Sequence, residues 1–218
     1  MGFILPNIAQ ALGVESPKVF IETGTYLGGV PQLIMDNYQD LYYDKVYTIE
    51  LGKGQARTAA YRYSLYEANN YINESFDKHT RGQVDSIETY TEFFDGRLTL
   101  VNGDSAVYLK EILEKVDQQA LIWLDAHSGA QKYARGEEDV PLLSELEAIK
   151  QHPINNHIIA IDDAHLFGQK QIRDGEVVCD YSHVPPSVVE AKLREINPNY
   201  TIGMARPYGH DMFIAFVR

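Results

Sequence analysis

The chain is organised around short, unbroken apolar runs that each end in an acid. They are Lys18-Val19-Phe20-Ile21-Glu22, Val46-Tyr47-Thr48-Ile49-Glu50, Leu98-Thr99-Leu100-Val101-Asn102-Gly103-Asp104, Leu121-Ile122-Trp123-Leu124-Asp125 and Ile158-Ile159-Ala160-Ile161-Asp162. A strand with one wet face alternates apolar and polar residues, whereas continuous runs mark strands buried on both faces. Between these runs the apolar spacing becomes helical. Val30, Leu33, Ile34, Tyr38 and Leu41 share one face, with Pro31 in the first turn. Ala106, Leu109, Ile112, Leu113 and Val116 form a second stripe, and Leu142, Leu143, Leu146 and Ile149 a third. Strand–helix alternation implies right-handed crossovers and a parallel sheet covered on both sides.

The last part of the chain breaks that rhythm. Tyr200–Met204 and Asp211–Val217 are strand-like, and the gap between them is too short for a helix, so they should pair antiparallel. The expected fold is therefore α/β: a Rossmann-like, mostly parallel seven-stranded sheet with an antiparallel C-terminal hairpin, one reversed strand at its edge and helices on both faces. Residues 1–218 read as one domain that opens with a short helix over about residues 1–14. A long connection over about residues 57–96 is rich in tyrosine (Tyr61, Tyr63, Tyr66, Tyr71, Tyr90) and should hold one or two helices. Capping a site, building a homodimer interface and serving as a plain surface insertion all remain open for it.

Charge narrows the partners. The formal net charge is −12, which repels phosphate backbones, and no basic cluster offsets it, so nucleic acid is not an expected substrate. An acid surplus suits cations, divalent metals and neutral small molecules. No apolar run approaches the roughly 18 residues of a membrane span, and the start Met1-Gly2-Phe3-Ile4-Leu5-Pro6 lacks the features of a signal peptide. The single Cys179 cannot form an internal disulfide, in keeping with a reducing, cytoplasmic setting away from membranes.

In an open α/β sheet, ligands bind beyond the carboxyl ends of the strands. The acids Glu22, Glu50, Asp104, Asp125, Asp162 and Asp163 all fall there. An Asp at such a junction can simply cap the next helix, as at Asp104-Ser105, but Glu is a poor cap, and Glu22 and Glu50 share the pattern. The first turn, Glu22-Thr23-Gly24-Thr25-Tyr26-Leu27-Gly28-Gly29, bends tightly at its glycines and leads into a helix N-terminus. Tyr26 stands where a dinucleotide fingerprint needs its second glycine, so no pyrophosphate cradle forms. A glycine turn with Glu50 positioned for a ribose diol suits a nucleoside without phosphates. Asp125, Asp162 and Asp163 together call for a cation or a shared proton. Because neighbours in a strand face opposite ways, Asp162 and Asp163 converge only if the strand has already ended. His127 and His165 follow in twin Asp-Ala-His phrases, each a candidate base, ligand or polar filler. Residues 128–140 read as a polar loop over the site, and Gln169–His183 as an irregular region beside the Asp pair.

These motifs resemble those of class I S-adenosylmethionine-dependent methyltransferases, and the likeness spans most of residues 15–217. By that resemblance Glu22, Thr23, Gly24, Thr25, Tyr26 and Gly28 surround the methionine moiety, Glu50 holds the ribose, Asp104 and Ser105 lie beside the adenine, and Asp125 borders the cofactor. Within the class the chain is similar to metal-dependent O-methyltransferases of the macrocin and cephalosporin-tailoring type. That similarity implies magnesium held by Asp125, Asp162 and Asp163, a small-molecule hydroxyl acceptor such as a sugar or glycan precursor, and catalysis by Asp125 with His127 or His165. The sequence departs from the group after the fourth strand, with Asp125-Ala126-His127 in place of Asp-Gly-Asp. Two other functions stay open: a nicotinamide-dependent oxidoreductase, and a non-catalytic nucleoside-binding module.

Overall fold

The computed structural model describes residues 8–35, 43–69, 83–128, 134–205 and 211–218. Along them the chain runs α1 (Ile8–Leu12), β1 (Val19–Thr23), α2 (Gly29–Met35), β2 (Lys45–Glu50), α3 (Lys53–Asn69), β3 (Tyr90–Phe93), β4 (Leu98–Asn102) and α4 (Ser105–Leu113). It continues through β5 (Ala120–Leu124), α5 (Leu142–Gln151), β6 (Ile158–Ile161), a 3-10 turn (Ala164–Leu166), β7 (Lys170–Arg173), β8 (Glu176–Asp180), α6 (Pro186–Ile196), β9 (Thr201–Ala205) and β10 (Met212–Phe216). The five acid-terminated runs are β1, β2, β4, β5 and β6, and they lie parallel in the order β4-β2-β1-β5-β6. β1 is flanked by β2 on one side and β5 on the other, so the order reverses there and a crevice opens at the carboxyl ends.

Both faces of the sheet are covered, which is why the strands carry no polar alternation. Val19, Ile21, Ile122 and Ile159 point into a core closed by Leu109, Ile112, Leu146, Ile149, Val189 and Leu193 of α4, α5 and α6. Their strand neighbours Phe20, Leu121, Trp123 and Ile158 point the other way, into a core closed by Ile8, Ile34, Ala59, Ala60 and Tyr63 of α1, α2 and α3. The second and third helical stripes are α4, which buries Leu109, Ile112 and Leu113, and α5, which buries Leu142, Leu146 and Ile149. Of the first stripe, α2 buries Pro31 and Ile34, while Tyr38 and Leu41 lie outside the described residues, as do residues 1–7 and Tyr71. No helix among the described residues is long and apolar enough to cross a membrane.

The structure corrects the sequence reading in three places. The main sheet has eight strands, not seven, because β3 joins the edge antiparallel to β4 (Tyr90↔Val101 to Phe93↔Leu98). β3 comes from the connection expected to be helical, and only Phe93 of its four residues is buried, so no apolar run announces it. The reversed strand is not the edge strand beside β6: β10 lies between β6 and β9, antiparallel to both. Burial decides this, since every residue of β10 (Met-Phe-Ile-Ala-Phe) is buried and none of β9 is fully so. Finally, Gln169–His183 is not irregular. It holds a β7–β8 hairpin whose turn, Asp174-Gly175, has φ of 53° and 82°, the two left-handed positions of a type I′ turn.

Candidate active site

A cavity of about 360 Å³ opens at the carboxyl ends of β1, β2, β4 and β5, within the range of sites that take small organic ligands. Gly24, Tyr26, Glu50, Asp104, Ser105, Asp125 and His127 line its strand side, so the structure brings most of the expected site residues to one wall. The turn after β1 is drawn towards β2 by two amides: Gly24 and Thr25 N–H both donate to the Ile49 carbonyl, at 2.9 and 3.0 Å. Gly24 has φ +82°, and a Cβ there would press on the Asp125 carbonyl, 2.8 Å from its carbon. Gly24→Ala therefore carries both left-handed strain, about 1–2 kcal/mol, and a backbone collision that pushes the β1 and β5 turns apart. We expect a melting temperature several degrees lower in thermal unfolding, and weaker binding of any nucleoside ligand; an unchanged melting temperature would contradict this packing.

Glu50 ties two turns together. Its Oε2 accepts the Tyr26 N–H and its Oε1 the Gly52 N–H, each at 2.7 Å. Burial raises its pKa above the usual carboxylate value, and the two amides oppose that rise. Each oxygen keeps a second lone pair for a ligand hydroxyl. Asp104 caps α4, its Oδ1 accepting the Ala106 N–H at 3.0 Å, while still lining the cavity. The capping reading and the site reading both hold for it.

Four expected cofactor contacts lie beneath the wall instead of on it. Glu22, Thr23 and Thr25 are buried. Glu22 Oε2 accepts the Thr48 hydroxyl at 2.6 Å, and the Thr48 and Thr25 hydroxyls are bonded to each other. Burial pushes the Glu22 carboxyl up to about 8, opposed by the Thr48 hydrogen bond and supported by Glu50, so it is mostly neutral at pH 7. Thr23 Oγ1 accepts the Asp125 N–H at 3.3 Å. Gly28 faces inward, and a Cβ on it would sit 2.6 Å from the Tyr63 Oη. These residues brace the turn from below.

A cluster that could hold a metal ion forms here, with a different membership from the expected Asp125, Asp162 and Asp163. Asp125, His127 and Asp163 each offer one ligand atom, and all three atoms lie within 4.8 Å of one another. β6 has ended at Ile161, and Asp163 takes a left-handed φ of 53°, which swings it towards Asp125 and removes the alternation problem. Asp162 stays outside this trio, its Oδ1 accepting the Asp163 N–H at 2.8 Å. His127 stands where the macrolide-type pattern has its second Asp. Its Nδ1 is 2.7 Å from the Ser128 carbonyl and must be the donor there, which leaves the Nε2 lone pair of the neutral ring free. That lone pair faces Asp163 Oδ2 at 3.4 Å, two acceptors that need a proton or a cation between them. Asp125 is held well above the usual carboxylate range by burial and then by the Asp162 and Asp163 charges. The trio thus fits a divalent cation by its chemistry, and its imidazole shifts the preference from Mg²⁺ towards Mn²⁺, Fe²⁺ or Zn²⁺. His165 does not reach the cavity wall; its half-exposed ring lies 4.0 Å from Asp163 Oδ1.

Several neighbours escaped the sequence reading. The Tyr181 hydroxyl donates to Asp163 Oδ2 at 3.3 Å. Glu145 is buried in α5 behind the cluster, its carboxyl raised to about 7 by burial against the pull of the Ser105 and Thr23 hydroxyls. Its signal was present: a Glu on the apolar stripe of Leu142, Leu146 and Ile149. Gln171 and Arg173 of β7 complete the far wall with Gly136, Glu138 and Asp139.

The strand order, the reversed β10 and a ligand-sized cavity at the switch point define the fold of the Rossmann-like, class I methyltransferases. No family model matches the chain and no curated protein matches it in sequence, but solved structures do. It is similar to a Staphylococcus aureus protein provisionally named a caffeoyl-CoA O-methyltransferase, at 13% identity, TM-score 0.50, over 97% of this chain and 80% of that one. It is also similar to a Clostridium thermocellum protein provisionally named an rRNA methylase, at 7% identity, TM-score 0.52, over 99% and 98% of the two chains. A third is the methyltransferase domain of bacterial CtHen1-CN, at 10% identity, TM-score 0.50, over 97% and 94%. At such identities the likeness is one of fold.

Proposed function

We propose that the protein is an S-adenosylmethionine-dependent, divalent-metal-assisted O-methyltransferase acting on a hydroxyl of a small molecule, with residues 1–218 forming one methyltransferase domain. The observation that carries this reading is the meeting, at one cavity, of Gly24, Glu50 and Asp104 with Asp125 and His127, which Asp163 joins from the small hollow behind that wall. Gly24 and Tyr26 give the backbone surface, Glu50 the acceptor for ribose hydroxyls, and Asp104 with Ser105 the wall beside the base. S-adenosylmethionine supplies the electrophilic methyl group, its S–C bond breaking as the C–O bond forms and the hydroxyl proton leaves. Asp125, His127 and Asp163 would hold the cation, which when bound would supply Lewis-acid polarisation of the acceptor hydroxyl. Much of the remaining task is positioning. His165 Nδ1 lies 4.0 Å from Asp163 Oδ1, beyond direct hydrogen-bond reach, so it would take the displaced proton only through a bridging water. A charge of −12 and a cavity whose lining carries five acids against one arginine favour a small acceptor over a nucleic acid.

Thermal unfolding with S-adenosylhomocysteine, S-adenosylmethionine or NAD, each with Mg²⁺, Mn²⁺ or EDTA, tests the reading. The two adenosyl ligands should stabilise the protein by about 2.7 kcal/mol at a hundredfold excess over Kd, and NAD should not. Stabilisation by NAD alone would favour the oxidoreductase; adenosyl binding without methyl transfer to any hydroxyl acceptor would favour a binding module.

A further inference from the structure

Arg173 ends β7, and Gln171, two residues earlier, projects to the same side of the strand; both line the cavity. Arg173 is the only Lys or Arg among the described residues that does so, although Glu50, Asp104, Asp125, Glu138 and Asp139 line the same space. Its guanidinium makes no ion pair with any described residue. An arginine left among carboxylates normally folds onto one of them. Arg173 lies instead at the exposed end of the β7–β8 hairpin. The Asp174-Gly175 turn sets one end, and β8 carries a bulge between the pairs Gln171↔Cys179 and Ile172↔Val177, with Val178 as the extra residue. The Val178 carbonyl accepts the Ser128 hydroxyl at 3.4 Å, and the Tyr181 N–H donates to the Gln169 carbonyl at 2.8 Å. Through Ser128 and through Tyr181, which bonds Asp163, the hairpin is fastened to the β5 and β6 turns. The base of the hairpin is thus fixed beside Asp125, His127 and Asp163, and Arg173, next to its turn, faces the same cavity from the far wall.

We propose that Arg173, with Gln171 beside it, receives an anionic group of the methyl acceptor, so that the acceptor is a hydroxyl compound bearing a carboxylate or phosphate. This rests on the methyltransferase reading. The guanidinium fork matches either anion in a two-point contact. A neutral hydroxyl compound would leave that exposed fork to water and forgo the contact, so the preference is set by what the anion gains. The methionine carboxylate of the cofactor has the same chemistry, and the test separates the two sources.

Protocatechuate and its amide have the same shape and differ in charge. In titration calorimetry on the full chain saturated with S-adenosylhomocysteine and Mn²⁺, the carboxylate should bind about two- to fivefold more tightly than the amide, as an exposed ion pair allows. Arg173→Gln should abolish that preference, Arg173→Lys should keep part of it, and affinity for S-adenosylhomocysteine should be unchanged in both. Equal affinities in the wild type, no binding of protocatechuate, or a preference that survives in Arg173→Gln would overturn the proposal. So would an Arg173→Gln protein that binds S-adenosylhomocysteine poorly yet retains methylthioadenosine, because the anion is then the cofactor's own. A wild type that binds no S-adenosylhomocysteine defeats the methyltransferase reading instead.

Discussion

Asp125→Asn should lower methyl transfer by about a thousandfold, the equivalent of roughly 4 kcal/mol in the barrier, while making the ligand-free protein more resistant to heat. Both effects come from one carboxylate. Asp125 ends β5 beside Asp162 and Asp163, and burial with those charges holds its pKa well above the usual range. Without a cation, confining that carboxyl beside two others costs the fold stability; with one, it would be a ligand. Asparagine keeps the shape and removes the charge, so it relieves the repulsion and weakens the cation site together. Each kcal/mol relieved is worth about 2–4 °C in a chain of this size. Steady-state methylation assays and thermal unfolding in EDTA check the two signs. Undiminished turnover would refute the metal role, and a large loss of stability would mean that Asp125 is structural.

The second large effect is on stability against pH. Glu22 has its carboxyl raised from 4.5 to about 8, chiefly by burial. A raised acid contributes stability that is fully present below its unfolded value and is lost as pH climbs through the folded one. Glu22 alone should thus forfeit on the order of 4 kcal/mol between about pH 4.5 and pH 8. Glu145, raised to about 7, acts in the same direction over pH 4.5–7. His157 opposes them. Burial lowers it from 6.5 to about 4, and its Nδ1 accepts the Ala120 N–H at 3.0 Å, so its contribution is present above 6.5 and falls away towards pH 4. Two acids outweigh one imidazole. In EDTA the melting temperature should be highest near pH 5 and fall by several degrees towards pH 8. Glu22→Gln, which can still accept the Thr48 hydroxyl, should flatten that limb. A melting temperature that is level or rising from pH 5 to pH 8 would show that Glu22 is not confined as its surroundings indicate.

The five parallel strands were legible because burial on both faces leaves an unbroken apolar run, and an acid at each exit marks where the chain meets solvent. β3 and β9 announce themselves less because edge strands bury little. The β7–β8 hairpin did have a signal, Asp174-Gly175 between Ile172 and Val177, but those side chains are exposed, so the turn chemistry and not the apolar pattern was the clue. Within the site, residues were readable where a strand end dictates position, as at Glu50, Asp104 and Asp125. Conformation at a single residue was not. The left-handed φ of Asp163 selects it over Asp162, and the Nδ1 bond to the Ser128 carbonyl selects His127 over His165. Neither leaves a trace in spacing.

β10 lies between β6 and β9 although it follows both in the chain. Synthesis therefore delivers this inner strand after the partners it must separate. A polypeptide halted before Met212 keeps the unsatisfied amides of β6 facing outwards, with Ile159 and Ile161 beside them, an adhesive rim for another such fragment. Prematurely terminated products should accumulate in aggregates even though every residue of the cavity wall has already been made.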